Sequence, residues 1–330
     1  MKVSTYEKSH GNIVRHWQGD PFMFDEWTPD RIYCTSSIFS WYVPESIWTI
    51  NRARTRWPKA EILTGGVMAS HNAEYFEKAT GIKPHRGIMW HVEGFRPDYE
   101  EFDWKGSSLV FTSRGCWVGC HFCIVPGLEG RTVQVIKDWQ NHIDPARKIL
   151  VLQDNNLTAA PWEHFCSVID FLKAHDFRID LNSGLEPHSL TEKHAKEMAG
   201  LKWNPIRTAF DELKEELQFT RAMELIKQYL VTRYSNLMVY CLFNFKDTPE
   251  EALYRALKII ELGGSPWPMP YRPLDWFSKE DYVSPEWTHD QIKKFYRFFS
   301  RAIIWRSVVK MKEGKITHYP RLAEIFDYVQ

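Results

Sequence analysis

Phe111-Thr112-Ser113-Arg114-Gly115-Cys116-Trp117-Val118-Gly119-Cys120-His121-Phe122-Cys123 carries three of the chain's six cysteines, spaced C-x3-C-x2-C. An apolar, strand-like run at residues 108–112 leads into it, and Gly127 and Gly130 loosen the way out. Three thiolates on one short loop can hold three irons of a cubane cluster and leave the fourth iron open to another ligand. Gly115 and Gly119 permit tight turns between the cysteines, and Phe122 sets an aromatic face beside them. The competing reading is a structural zinc site, which needs four protein ligands. Only His121 is close in sequence, and its place between two of the cysteines would strain the loop.

The 330 residues suffice for one large domain with an appendage, or for two domains. Lys plus Arg and Asp plus Glu both number 42, so no global basic field is present to hold a nucleic-acid backbone, and a small molecule or peptide is the favoured substrate class. No run approaches the roughly 18 apolar residues of a membrane span, and the first ten residues lack a signal peptide's apolar core. A cytoplasmic location is therefore expected, where thiols stay reduced and a cysteine cluster reads as metal-binding or catalytic. Cys34, Cys166 and Cys241 are isolated and read as small buried side chains. Fifteen Trp and an aromatic share of 15% suit a core and cleft walls built from large flat groups.

The order of elements is legible on either side of the loop. Residues 1–30 lack sustained periodicity and read as an irregular arm or a short edge strand. Residues 31–36, 44–56 and 60–64 then form a strand, helix, strand unit that ends at Gly65-Gly66, a small Rossmann-like α/β domain over residues 1–80. Residues 81–104, rich in Gly, Pro and mixed polar groups, read as a linker. Strands follow at 108–112, 148–152, 177–181, 206–210, 237–243 and 267–271. Helical patterns lie near 132–142, 162–175, 191–200, 212–232 and 249–262, with a last one near 289–308 in a helical extension over 276–330. Thr191-Glu192 and Thr248-Pro249-Glu250-Glu251 are helix starts, and Gly263-Gly264 is a stop. Six strands joined by crossovers predict a parallel sheet curling into a partial (β/α)6, TIM-like barrel over residues 105–275. Catalytic groups in such a barrel stand at the C-terminal ends of the strands, and the cysteine loop follows the first of them.

Cys116-x3-Cys120-x-Phe122-Cys123, placed after strand one of six β/α units, resembles the motif of the radical S-adenosylmethionine (SAM) superfamily. The resemblance implies a [4Fe-4S] cluster on Cys116, Cys120 and Cys123, with SAM chelating the open iron. It implies reductive cleavage of SAM to methionine and a 5′-deoxyadenosyl radical, fed by an electron donor such as flavodoxin or ferredoxin. Phe122 would lie against the cofactors, and Asp154, Asn155 and Asn156 follow strand two, where the superfamily contacts the SAM amino group through a different, Gly-Gly-Glu-Pro-like segment. Ser183 and Glu186 after strand three offer hydroxyl and carboxylate groups for ribose or substrate. Turn chemistry is the alternative for each of these groups. Arg207 and Asp211 at the end of strand four could chelate the SAM carboxylate and fix a pocket wall, or pair with each other. Asn244, Tyr271 and Arg272 are further candidates.

The N-terminal unit resembles a shortened, degenerate cobalamin-binding domain, on the strength of residues 36–41 and Thr64-Gly65-Gly66. That family's Asp-x-His-x-x-Gly is not reproduced: His91-Val92-Glu93-Gly94 has the spacing but carries Met89 in place of Asp and follows the glycines. His-ligated cobalamin is not expected. Cobalamin held between the domains without a protein ligand stays an alternative, and a cobalamin-dependent methyltransferase would be its natural chemistry. A tRNA methylthiotransferase-like enzyme would bring a second cysteine cluster, whereas the N-terminal region has only Cys34. A non-catalytic iron-sulfur protein for redox sensing or partner binding is the alternative outside enzymology.

Overall fold

The computed structural model describes residues 1–24, 26–102, 104, 106–203, 205–231, 237–300, 311–312, 315–316, 318 and 324–325. In the N-terminal unit β1 (Arg31–Thr35) and β2 (Glu61–Gly65) pair in parallel, with Ile32 opposite Ile62 and Cys34 opposite Thr64. Helix α2 (Val43–Arg56) crosses between them; Pro44 sits in its first turn, where a missing N–H costs nothing, and Val43, Ile50 and Ala53 form its buried face. Helices α3 (Val67–His71) and α4 (Ala73–Thr80) complete the unit, and α4 ends on left-handed Gly81.

The chain opens differently from its expected irregular arm, on helix α1 (Lys2–Ser9). Its periodicity is weak because polar tertiary contacts hold it: Lys2 Nζ meets Glu93 Oε1 at 3.0 Å, Ser4 Oγ donates to Asp98 at 2.5 Å, and Lys8 Nζ reaches the same carboxylate at 2.8 Å. Those acidic partners lie in the segment expected as a linker. Val92, Glu93, Asp98 and Tyr99 are buried there, and the Tyr99 hydroxyl accepts from Leu109 N at 2.8 Å and donates to His142 O at 3.0 Å.

Six further strands run parallel: β3 (Ser107–Val110), β4 (Ile149–Leu152), β5 (Arg178–Leu181), β6 (Ile206–Ala209), β7 (Leu237–Phe243) and β8 (Ser265–Pro270). They form two three-stranded sheets, β3-β4-β5 and β6-β7-β8, joined by single parallel bridges at Ile179–Trp203 and Leu185–Thr208. Helices α5 (Trp162–Ala174), α6 (Glu192–Met198), α7 (Glu216–Tyr229) and α8 (Pro249–Glu261) lie between successive strands, and α9 (His289–Ser300) follows the last. Thr191 and Thr248 cap their helices with reciprocal bonds to His194 and Glu251. The fold is mixed α/β with parallel sheets.

Alternation along the strands sets the core. Leu150, Leu152, Ile179 and Leu181 point to the same side as Phe165, Val168, Ile169 and Leu172 of α5. A second cluster joins Phe243 and the α8 residues Ala252, Ala256 and Ile260 to Ile292, Phe295 and Phe299 of α9. Each fully buried Phe in these clusters contributes roughly 1.5–3 kcal/mol of burial.

The helix expected over 132–142 does not form. Gln134–Val135 pairs antiparallel with Ser113–Arg114, and Trp139–His142 is a single 3-10 turn. The apolar spacing there serves a return strand that braces the cysteine loop. Residues 301–308 of the last expected helix lie outside the described residues, and Met311–Lys312 pairs with Lys315–Ile316 as a short antiparallel ladder where helix was expected. Among the described residues no helix is long and apolar enough to cross a membrane.

Candidate metal centre

The cysteine loop is pinned at its root by Asp154. This carboxylate, fully buried beyond β4, accepts from the Thr112 and Ser113 backbone N–H groups at 3.1 and 2.6 Å and from their hydroxyls at 2.6 and 2.7 Å. Burial raises its pKa and these four bonds oppose the rise. Strand β3 therefore stops at Val110, short of the expected residue 112, because the next residues turn their donors onto Asp154. Asp154 thus anchors the loop from beneath.

An ion-pair chain holds the next residue. Arg114 lies 3.3 Å from the centroid of Phe111 and meets Glu93 at 2.9 Å and Glu129 at 3.0 Å. The other Glu129 oxygen accepts from Gly115 N at 3.1 Å and from Asn155 Nδ2 at 2.5 Å. Gly115 has φ +90°, and a Cβ there would stand 2.4 Å from the Thr132 carbonyl oxygen, so only glycine lets the loop and its exit segment lie this close. Cys116 N reaches Gly130 O at 3.4 Å, and Cys123 N donates to Cys120 O at 3.0 Å.

Cys116, Cys120 and Cys123 are half-buried and free of disulfides. Burial pushes the Cys120 thiol up to about 12, with Glu186, Cys123, Glu215 and Asp211 adding to it. Cys123 is likewise raised, first by burial, and it feels Cys116. Cys123 thus lies within electrostatic reach of both Cys120 and Cys116, among carboxylates. Such a donor set favours a cationic metal group, which would hold the thiols as thiolates. Among the described residues no three His, Cys, Asp or Glu side chains are gathered closely enough to form a metal-ligand group, the three cysteines included, and His121 faces solvent. By residue type and spacing, three free cysteines on one loop suit a group held by three thiolates, and Asn156 Nδ2 lies 3.6 Å from Cys116 Sγ.

The other strand ends divide. Phe122 meets Phe245, beyond β7, edge to face at 5.8 Å, and Phe245 meets Tyr271, beyond β8, at 4.6 Å, so half-buried rings line one side of the loop. Glu186 lies on the Cys120 side and accepts from His188 Nδ1 at 2.8 Å. Ser183 is exposed on the same turn. Asp211 accepts from Leu242 N at 2.8 Å, and burial pushes its carboxyl up to about 7. Arg207 pairs with Asp180 on the neighbouring strand, not with Asp211. Asn244, at φ +63°, is a buried corner that donates to Tyr282 O at 2.7 Å and accepts from Ser284 N at 2.9 Å. Arg272 pairs with Asp281 at 2.6 Å and lies 4.7 Å from the ring of Trp41 in the N-terminal unit.

Sequence reasoning passed over Glu93, Arg114, Glu129, Glu215 and Phe245. Arg114 and Glu129 flank the motif and were open to notice; the other three reach the site from distant segments. No protein-family model matches the chain, and no curated protein matches it.

Proposed function

We propose that the chain is a radical SAM enzyme acting on a small molecule or peptide, with a [4Fe-4S] cluster on Cys116, Cys120 and Cys123. The observation that carries this reading is that three half-buried, disulfide-free thiols share one glycine-turned loop at the C-terminal end of β3, the first of six parallel strands. Those strands, bridged in sequence order, are read as a partial (β/α)6, TIM-like barrel. When bound, the group supplies one-electron reductive cleavage of SAM, the source of a 5′-deoxyadenosyl radical for hydrogen abstraction.

The chain's own residues give that chemistry its setting. Asp154, Arg114 and Glu129 fix the root of the loop. Glu186, Asp211 and Glu215 make the Cys120 side acidic, which suits a ligand that carries a sulfonium and an ammonium. Phe122, Phe245 and Tyr271 exclude water from one flank. A soluble one-electron carrier such as flavodoxin or ferredoxin would supply the electron, in the cytoplasm.

The N-terminal unit is read as a wall beside the strand ends, where the Trp41 ring lies 4.7 Å from Arg272. A Cβ on Gly66 would stand 2.9 Å from Ser36 N, Ser36 Oγ and Thr35 Oγ1, so the glycine loop is filled by the protein's own atoms. This favours a wall over a cobalamin cradle.

Anaerobic reconstitution with iron and sulfide, then incubation with SAM and reductant with and without cobalamin, tests the reading. 5′-Deoxyadenosine is the expected product, and S-adenosylhomocysteine formed only with cobalamin would shift the assignment to methyl transfer. Replacing Cys116, Cys120 or Cys123 with Ala should remove the brown cluster absorbance and all SAM cleavage. Undiminished SAM cleavage by any of these variants would sink the proposal.

A further inference from the structure

We infer that Asn156 is a positioning residue that donates an N–H to the Cys116 thiolate and raises the reduction potential of the cluster, an inference that rests on the cluster reading above. Asn156 is 1% exposed, and its Nδ2 lies 3.6 Å from Cys116 Sγ. It belongs to the segment after β4, forty residues along the chain from the cysteine it touches.

The surroundings fix which way the amide faces. Asn156 Oδ1 lies 3.1 Å from Thr158 Oγ1 and 2.9 Å from Ser189 Oγ, and the two hydroxyls are 2.7 Å apart. Their mutual contact uses one hydroxyl hydrogen, and the other can go to Oδ1, which lies nearer to Ser189 Oγ than the Glu186 carbonyl at 3.3 Å. Turning the amide over would aim its oxygen at a thiolate, which no hydrogen could bridge. With Cys116 ionised, Nδ2 therefore faces sulfur. Thr158 and Ser189 are themselves buried, so the amide is held by groups that do not exchange freely with water.

The consequence follows from charge. Reduction adds an electron to a group already bearing thiolates, and part of the new negative charge falls on the sulfurs. A hydrogen bond to sulfur stabilises the reduced state more than the oxidised one, so it raises the potential and eases reduction. Asp154 and Asn155 in the same triplet are engaged differently, with the Thr112–Ser113 turn and with Glu129. Of the three, Asn156 alone reaches a cysteine sulfur among the described contacts.

The test is a redox titration of the reconstituted full chain followed by electron paramagnetic resonance, with iron and sulfide counted in parallel. Asn156→Asp keeps the shape, removes the donor and adds an acceptor; Asn156→Leu removes the amide. Both should lower the midpoint potential of the cluster at wild-type iron content, the Asp variant further. Ser189→Ala and Thr158→Val leave Asn156 in place but free its amide to turn, and each should give a smaller shift of the same sign. If the Asn156 variants fail to take up iron, these two decide. Unchanged potentials in cluster-loaded variants would overturn the role of Asn156 and leave the radical SAM reading standing. Absence of any cluster in the wild-type chain would overturn both.

Discussion

Two glycine-bearing loops leave the C-terminal ends of parallel strands in this molecule, and they are used in opposite ways. After β2, Gly65-Gly66 turns onto the end of β1: Ser36 N donates to Gly65 O at 2.8 Å, Ser36 Oγ accepts from Ala69 N at 2.9 Å, and His85 N closes on Thr64 O at 2.8 Å. These bonds satisfy the backbone of that loop within the protein, leaving the buried Thr64 hydroxyl unpaired among the described contacts. After β3, the cysteine loop is satisfied at its root by Asp154 and Glu129, while its three thiols are offered forward with Asn156 as their described side-chain partner. Buried polar groups are normally paired within the protein, so groups held forward by a rigid root point to a ligand from outside.

The comparison breaks most sharply at Gly115. Gly115→Ala places a methyl 2.4 Å from the Thr132 carbonyl at a φ of +90°, so the loop must move away from its exit segment. Iron uptake at reconstitution should fall nearly to the level of the cysteine variants, read as iron per chain. Full iron content in that variant would show that the close approach to Thr132 is dispensable. Gly66→Ala meets a similar obstacle, 2.9 Å from Ser36 N at a φ of +94°, but in the loop that serves only itself. It should cost about 2–3 kcal/mol of stability, measured by chemical denaturation, and leave iron content per folded chain unchanged. Loss of iron in Gly66→Ala would merge the two loops into one functional unit.

A milder variant sharpens the account of the root. Arg114 and Glu129 have side chains only 14% and 13% exposed, so their ion pair is largely shielded from water beside Arg114's pair with Glu93 and Glu129's bonds to Gly115 and Asn155. Glu129→Gln keeps the shape but must set its amide donor against either Arg114 or the Gly115 and Asn155 N–H groups, all of them donors. A destabilisation of about 1–3 kcal/mol is expected, together with iron uptake reduced but not abolished. A wild-type denaturation midpoint and wild-type iron content together would remove Glu129 from the account.

How much of this was legible in the sequence depended on range. The cysteine spacing, the six strands and most crossover helices are local patterns, and β7 was delimited to the residue because four alternate positions, Leu237, Val239, Cys241 and Phe243, are buried. Helix α1 was not legible because its partners, Glu93, Asp98 and Tyr33, are far along the chain and its own residues are mostly polar. The pattern over 132–142 misled for a related reason: Val135 and Trp139 follow helical spacing, yet pairing with Ser113–Arg114 overrides local preference. The Asp154-Asn155-Asn156 triplet was recognised as a group, but its division into an anchor, a brace and a sulfur donor is set by Thr112, Glu129 and Cys116. Nothing in the triplet itself carries that information.

The smallest expected effect separates the loops by their response to pH. Burial is the main reason that Asp211 stands at about 7 instead of its ordinary 3.8; Glu215 and Glu186 add to the rise, while Leu242 N and Arg255 oppose it. Between those two values the folded chain binds a proton that the unfolded chain has lost. Folding is therefore favoured at the acid end of the window, and that contribution disappears as pH rises through about 7. In the cluster-free chain, the urea midpoint of wild type relative to Asp211→Asn should fall on going from about pH 5 to about pH 8, a difference that isolates Asp211 from the buried His142, whose lowered pKa acts in the opposite sense. The atoms nearest a side chain at Gly66 belong to Ser36 and Thr35, neither of which titrates. Gly66→Ala should consequently lower the whole profile in parallel with wild type. An Asp211→Asn profile as steep as wild type would mean that water reaches this carboxylate, and the acidic side of the cysteine loop would then be a solvated surface instead of a pocket wall.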